Sequence, residues 1–312
     1  MNSKYEVAIH LPVMLSEVLE AFDDSPEGWF IDGTFGLGGH SRGILERYPE
    51  RNVFGIDLDA NSTGMSSKGF QKFTDRVLLV NGNYADMKML TREANIGSVS
   101  GILLDLGLSS MQLETEGRGF SFRTDEMLDM RYNQSQGITA FDLVNTYEEK
   151  ELSEIFFQFG EERAARRIAK AICEHRPIMT TGKLAKIVEG KVGRYRKLRI
   201  HPATKIFQAL RIAVNREFEN INIGLSEGLD LLTDKGKFVV LTYHSIEDRI
   251  VKQFFKKESL NCICPVNVPV CICEHKSQLR IVNKKVKTPS GAEIESNPRS
   301  RSAKMRIVEK IG

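Results

Sequence analysis

Short apolar runs and helical periodicities alternate along the first hundred residues. Runs at Trp29–Ile31, Asn52–Ile56, Arg76–Val80 and Ile102–Asp105 have the length of buried strands, and Ser41–Arg47 fits a helix between the first two. Strands separated by helices predict a parallel sheet with crossover helices. After Ser110 the rhythm changes. Residues 113–137 are rich in Gly, Arg, Asp and Glu and read as an irregular connection. Helical patterns follow at Ala140–Val144, Glu148–Phe157, Glu161–His175 and Gly182–Glu189; in the third, Ala164, Ala165, Ile168, Ala169 and Ile172 fall on one stripe.

The alternating pattern then returns. Pro202 suits the first turn of a helix, and Ile206, Leu210, Ala213, Ile221, Leu225 and Leu229 continue an apolar face that Gly224 and Gly228 are expected to interrupt or end. Lys235-Gly236 turns into a strand at Lys237–Tyr243, Ser245–Asp248 has the form of a capping box, and Lys304–Glu309 alternates as a last strand would. The expected organisation is one α/β domain in two pieces, 1–112 and 201–312, around a mainly helical insertion at 113–200.

Composition narrows the class. Nothing near the start resembles a signal peptide, and no apolar run approaches the roughly 18 residues a bilayer crossing needs, so a soluble, cytoplasmic protein without a membrane partner is expected. Net charge is only +3, from 44 basic and 41 acidic residues. The basic residues gather, however, in Lys191–Lys205 and again from Arg280 to Arg306, which suits an anionic partner as well as a solvated face. Five cysteines are too few for a secreted disulfide scaffold. Four of them, Cys262, Cys264, Cys271 and Cys273, lie within a loop at 262–273 and could hold a structural zinc, form a reduced thiol cluster or, as the weakest alternative, pair in a redox role. Zinc pairs are more often spaced by two residues than by one, and no metal is assigned from sequence. Cys173 lies on an apolar helical stretch and reads as core.

The candidate chemistry starts at Asp32-Gly33-Thr34-Phe35-Gly36-Leu37-Gly38-Gly39-His40, a glycine-rich turn between a strand and a helix. Such a turn lets a ligand approach the backbone and bares amide donors at a helix start. Asp57 ends the next strand, where an acid can accept hydrogen bonds from ribose hydroxyls; Asp59 is the alternative. Asp105 ends another strand at the same side of an open sheet. A nicotinamide site is the nearest competitor, but neither Gly36 nor Gly38 begins a G-x-G-x-x-G pattern, and the departure favours adenosylmethionine, which has no pyrophosphate.

At this point the chain resembles a known family, the MraW or RsmH small-subunit rRNA cytosine-N4 methyltransferases. Asp32–Ser41 resembles its cofactor loop and Leu103–Ser110 its central motif, while Arg118–Phe122, Phe207–Glu217, His244–Arg249 and Asn297–Arg301 continue the match in order. The resemblance implies a Rossmann-like class I methyltransferase fold with S-adenosyl-L-methionine as cofactor, held by Gly38, Gly39, His40, Asp57, Tyr84, Asp105 and Gln112. It implies a cytidine in the decoding region of 16S rRNA as target and the small ribosomal subunit as partner. Three departures touch the target side: Met111 stands where the family has proline, Met127–Tyr132 replaces Pro-Leu-Asp-Met-Arg-Met, and Thr242-Tyr243 replaces Ser-Phe.

A cytosine amino nitrogen is a poor nucleophile, because its lone pair is delocalised into the ring. Acceptors aimed at its N–H groups favour a pyramidal nitrogen and can later take a proton. Ser109 and Ser110, just after the fourth strand, are the candidates for that task, with His244 as a further base contact. For RNA, the cluster Arg194, Tyr195, Arg196, Lys197 and Arg199 offers cations for phosphates and a ring for stacking, with Arg299 and Arg301 second. Methylation of DNA or tRNA, or a ribosome-assembly factor without turnover, are the competing readings.

Overall fold

The structure is a computed structural model that describes residues 11–59, 67–107, 117–135, 137–192, 201–265 and 270–312. By contact the chain divides into two units, one of Met1–Gly107 with Glu219–Gly312 and one of Leu108–Phe218.

The first unit is built on a seven-stranded sheet. Its strands are β1 (Trp29–Asp32), β2 (Asn52–Asp57), β3 (Val77–Asn81), β4 (Val99–Asp105), β5 (Leu232–Thr242), β6 (Leu279–Ile281) and β7 (Lys304–Lys310), in the order β3-β2-β1-β4-β5-β7-β6. The four pairings that join β3, β2, β1, β4 and β5 are parallel, and β7 runs antiparallel to both of its neighbours. This is the Rossmann-like α/β architecture with one antiparallel edge. β4 shows why the centre reads as an unbroken apolar run: Val99 to Leu104 are buried, because both faces of a parallel sheet are covered. Phe22, Phe30, Ile44, Val53, Leu103, Val239 and Leu241 join in a core beside it. Strand order reverses between β1 and β4, which opens a crevice outside their carboxyl ends.

The second unit is mainly helical among its described residues. Ala140–Thr146, Glu149–Gly160, Ala165–Glu174, Thr181–Val192 and Ala203–Asn215 enclose a core of their own that includes Leu143, Leu152, Phe156, Ile168, Ile172, Leu184, Ile206 and Leu210. The sequence reading put Ala203–Asn215 in the returning α/β segment. Its apolar face instead completes this helical core.

Three local expectations are corrected. The helix expected at Glu161–His175 begins at Ala165, since Glu161 adopts φ 48° as the cap of the preceding helix. The long apolar helix breaks at Arg216, with φ 50°, and not at Gly224 or Gly228. Both glycines lie inside the helix Glu217–Leu231, where a Cβ on Gly224 would come within 2.5 Å of the Tyr84 ring and one on Gly228 within 2.6 Å of Phe238; they permit close packing. The capping box sits one residue earlier than expected, with His244 as the cap and Glu247 three residues on. No helix among the described residues is long and apolar enough to cross a membrane.

Candidate functional site: three aspartates on one sheet edge

β1, β2 and β4 each end in an aspartate, Asp32, Asp57 and Asp105. In a parallel sheet the carboxyl ends share one edge, so the three acids are neighbours by topology alone.

The glycine-rich turn after β1 is fastened to all of them. Asp32 is buried and accepts from the Ser41 hydroxyl at 2.6 Å and the Thr34 amide at 3.3 Å, which ties the strand end to the first turn of the helix Gly39–Arg47. Burial above all holds its carboxyl above the ordinary value. The Gly36 amide donates to Asp57 Oδ2 at 2.6 Å, and the Asp59 amide to Asp57 Oδ1 at 2.8 Å. Thr34 Oγ1 accepts from the Asp105 amide at 2.6 Å. One turn therefore bridges three strand ends.

Gly38 caps the helix Gly39–Arg47 with φ 74°, and the rings of Phe35 and Phe70 close over it. His40 follows in the first turn. Its Nε2 stands 2.9 Å from the Val13 carbonyl, so this nitrogen carries the proton in the neutral ring, and Nδ1 lies 3.9 Å from Asp105 Oδ2. Tyr84 begins a 3-10 turn after β3, capped by the Asn83 side chain, and its ring packs on the helix at Gly224. Gly33 separates β1 from this turn, 3.0 Å from Tyr84 Cβ at its missing side chain.

Two features mark the edge as a binding site. Asp105 Oδ1 is buried and makes no hydrogen bond, a state that costs about 1–3 kcal/mol unless a ligand donor fills it. Asp57 is pushed up to about 6, mainly by burial, although two backbone amides pull it down. Tyr243, beside Asp105, is held well above its ordinary value by burial first and then by the Asp105 charge.

Of the residues singled out from sequence, Gly38, Gly39, His40, Asp57, Tyr84 and Asp105 gather at this edge. His244 follows β5, whose Leu241 pairs with Asp105, and its ring is engaged by Glu247: Nδ1 accepts the Glu247 amide at 3.4 Å and Nε2 stands 2.9 Å from the carboxylate. Arg299 and Arg301 are exposed on the turn Pro298–Ser302 that leads into β7, near Thr242 at the end of β5. Ser109, Ser110, Gln112, Arg194, Tyr195, Arg196, Lys197 and Arg199 lie outside the described residues. Sequence reasoning missed Asp32 and Thr34 as the girders of the turn, although both stand in the motif it quoted. Tyr243 carried no signal beyond being a departure.

A model of the MraW methylase family matches residues 7–311. The chain belongs to the MraW methylase family. Among curated relatives, Ribosomal RNA small subunit methyltransferase H of Dehalococcoides mccartyi is 49% identical over 303 residues, covering 97% of this chain and 86% of the relative. The protein of the same name from Syntrophotalea carbinolica is 46% identical over 311 residues, covering 98% and 99%. A solved rRNA methylase from Streptococcus thermophilus aligns over 96% of this chain and 94% of its own, at 9% identity and a TM-score of 0.42.

Membership in the MraW family makes the chain a methyltransferase with S-adenosylmethionine as its methyl donor, and the residues present suit that group. Asp57 can take ribose hydroxyls on its remaining lone pairs, the turn is open on the Cβ side of Gly36, where a ligand can approach the backbone closely, and Asp105 Oδ1 awaits a donor. Asp105→Asn is accordingly expected to weaken adenosylhomocysteine about tenfold to hundredfold, the worth of one charge-assisted hydrogen bond. Stability without ligand should hold or rise, because the charge on a carboxylate with one buried, unpaired oxygen is removed while the side-chain shape is kept. Titration calorimetry beside a thermal melt checks both signs; unchanged affinity would remove Asp105 from the cofactor site.

Proposed function

We propose that this MraW-family methylase transfers a methyl group to the N4 amino group of a cytidine in the decoding region of 16S rRNA, acting in the cytoplasm on the small ribosomal subunit. The observation that carries the reading is the near full-length identity to relatives named as small-subunit rRNA methyltransferases.

Bound S-adenosylmethionine supplies an electrophilic methyl on a good leaving group, so the protein's task is chiefly alignment. Asp57, Asp105 and the turn at Gly38-Gly39-His40 would hold the cofactor, with Tyr84 offering its ring to the adenine and Gln112 a hydrogen bond to a polar group. Ser109 and Ser110 accept from the cytosine amino group and orient its lone pair. His244, steadied by Glu247 as the helix cap, is a contact for the same base. The target base must leave its stack to enter, which is easiest in single-stranded RNA. In this reading the insertion at 113–200 brings Arg194, Tyr195, Arg196, Lys197 and Arg199 to the RNA, and Arg299 and Arg301 hold phosphates from the α/β unit.

The test offers purified protein labelled adenosylmethionine with small subunits, naked 16S rRNA, tRNA and DNA, and reads the product by nucleoside mass spectrometry. Label is expected as N4-methylcytidine in small-subunit RNA alone. Ser109→Ala/Ser110→Ala is expected to slow transfer by about 10²-fold or more while cofactor binding stays intact. Label in tRNA or DNA, or cofactor binding with no transfer to any polymer, would replace the proposal with one of the competing readings.

A further inference from the structure

The methylase reading leaves one cluster of side chains unused. Between the helix Ser245–Glu258 and the edge strand β6, Cys262, Cys264, Cys271 and Cys273 turn their sulfurs to a common centre, and all four Sγ atoms lie within 4.8 Å of one another. The separations are 4.0 Å for Cys264–Cys271, 3.6 Å for Cys271–Cys273 and 3.8 Å for Cys262–Cys273. A zinc ion with four sulfurs at about 2.3 Å makes a tetrahedron whose edge is about 3.8 Å. The sulfurs thus already stand at the spacing of a single tetrahedral ion. An iron–sulfur cluster, with several irons between the thiolates, would hold them farther apart.

The backbone supports the same centre. Each arm has the form Cys-Ile-Cys, with a bend at its second cysteine, Cys264 and Cys273. The Ile263 amide donates to Cys273 Sγ and the Ile272 amide to Cys264 Sγ, both at 3.4 Å, so each arm binds the last sulfur of the other with near-twofold symmetry. The Cys264 amide adds a bond to Cys262 Sγ at 3.4 Å. Amide donors directed at sulfur favour thiolate, the form that ligates metal. The bends also answer the objection from spacing. In a straight strand residues two apart share a face at nearly 7 Å, whereas a bend at the second cysteine draws its sulfur back towards the first.

Nothing apolar does this work. Ile263, Val270 and Ile272 are 41%, 71% and 76% exposed, so the arms have no core of their own. The base of the loop is pinned to the helix, by His275 Nε2 at 3.0 Å from the Lys257 carbonyl and by the Gln278 amide on the Glu258 carbonyl at 2.8 Å. The arms beyond that base are joined to each other through sulfur. The four cysteines are free thiols rather than disulfides.

We propose that Cys262, Cys264, Cys271 and Cys273 form a structural zinc site that locks this loop against the edge of the methylase sheet. Four protein thiolates close the coordination shell and leave no open position, so the ion has no part in methyl transfer. Binding replaces the thiol protons, which pass to solvent, and no electron moves.

The experiment uses the untagged full chain, purified without chelator. Elemental analysis is expected to find one equivalent of zinc, released by an organomercurial that caps the thiols. Cobalt(II) added to the metal-stripped protein is expected to produce the intense visible absorption of a tetrahedral four-thiolate site, and zinc to abolish it. Cys262→Ser and Cys271→Ser are each expected to weaken zinc by about a hundredfold or more, and Cys173→Ser to leave it unchanged. Adenosylhomocysteine binding reports that each variant is folded. Should a serine variant fail to fold, the cobalt titration of the unaltered protein still decides. Folded protein that takes up no zinc or cobalt, prefers iron, or keeps its zinc in Cys264→Ser/Cys273→Ser would overturn the proposal.

Discussion

Gly38→Ala is expected to destabilise the protein by about 2–5 kcal/mol, more than any other single methyl group added at the cofactor edge. Two costs add. Gly38 holds φ 74°, where an L side chain costs roughly 1–2 kcal/mol. The new Cβ would also lie 2.5 Å from Phe70 and 2.6 Å from Phe35, and such overpacking costs about 1–3 kcal/mol. Phe35 is buried at 3% exposure and Phe70 at 2%, so neither ring can swing into solvent without uncovering apolar surface. The damage falls on the turn that carries Gly36 to Asp57, so cofactor affinity should fall as well. Denaturant melts check the size, with a lowered midpoint and unchanged slope as the expected form. Phe70→Leu in the Gly38→Ala background separates the two causes: it recovers part of the crowding cost and none of the backbone cost. A midpoint within error of the unaltered protein would mean that the turn is not held by these rings.

What was legible in the chain follows from where the information lay. The strands β1, β2 and β4 could be read because they are buried on both faces and end in charged residues, a contrast visible without any partner. Asp57 and Asp105 came from the same contrast. The helix Leu15–Phe22 was missed because its cap, Met14, makes no side-chain capping bond and so gives no start signal, although Val18 and Phe22 bury its face. β6 has three residues and, among the described residues, pairs with β7 alone, a contact that no local pattern announces. Arg216 breaks a helix with neither glycine nor proline to mark it. The cap at His244 was read one residue late because serine is the commoner cap. In the site, the bonds from Thr34 to Asp105 and from Gly36 to Asp57 span 71 and 21 residues, and only the folded sheet brings them together. The cysteines show the limit from the other side: their pattern was plain, but whether four sulfurs converge is a question of distance.

Cofactor affinity is expected to fall about tenfold for each pH unit below about 6, and Asp57 sets the point. Its carboxyl is raised from 3.8 to about 6, burial being the largest cause and the neighbouring Asp59 and Asp32 charges adding to it. The sign for stability is the reverse of that for binding. Because the folded value lies above the ordinary one, the buried carboxylate burdens the fold by about 3 kcal/mol, in full above about 6. That burden fades as pH falls from 6 towards 3.8, so this group makes the ligand-free protein steadier on acidification. Ribose hydroxyls, in contrast, donate best to the ionised carboxylate, and binding below pH 6 must first expel its proton. Calorimetry in two buffers of different ionisation enthalpy should therefore show proton release on binding at pH 5 and little at pH 8. Asp57→Asn is the comparator, since it binds weakly at every pH and has no proton to release. The difference between it and the unaltered protein isolates Asp57 from Asp32 beside it. It also removes the general acid limb of Asp129, Asp142, Asp248 and Glu309, whose partners hold them below the usual carboxylate range and whose stabilising bonds are lost only at lower pH. Equal slopes in the two proteins would move the ribose contact elsewhere, with Asp59, buried two residues on, as the next acid to test.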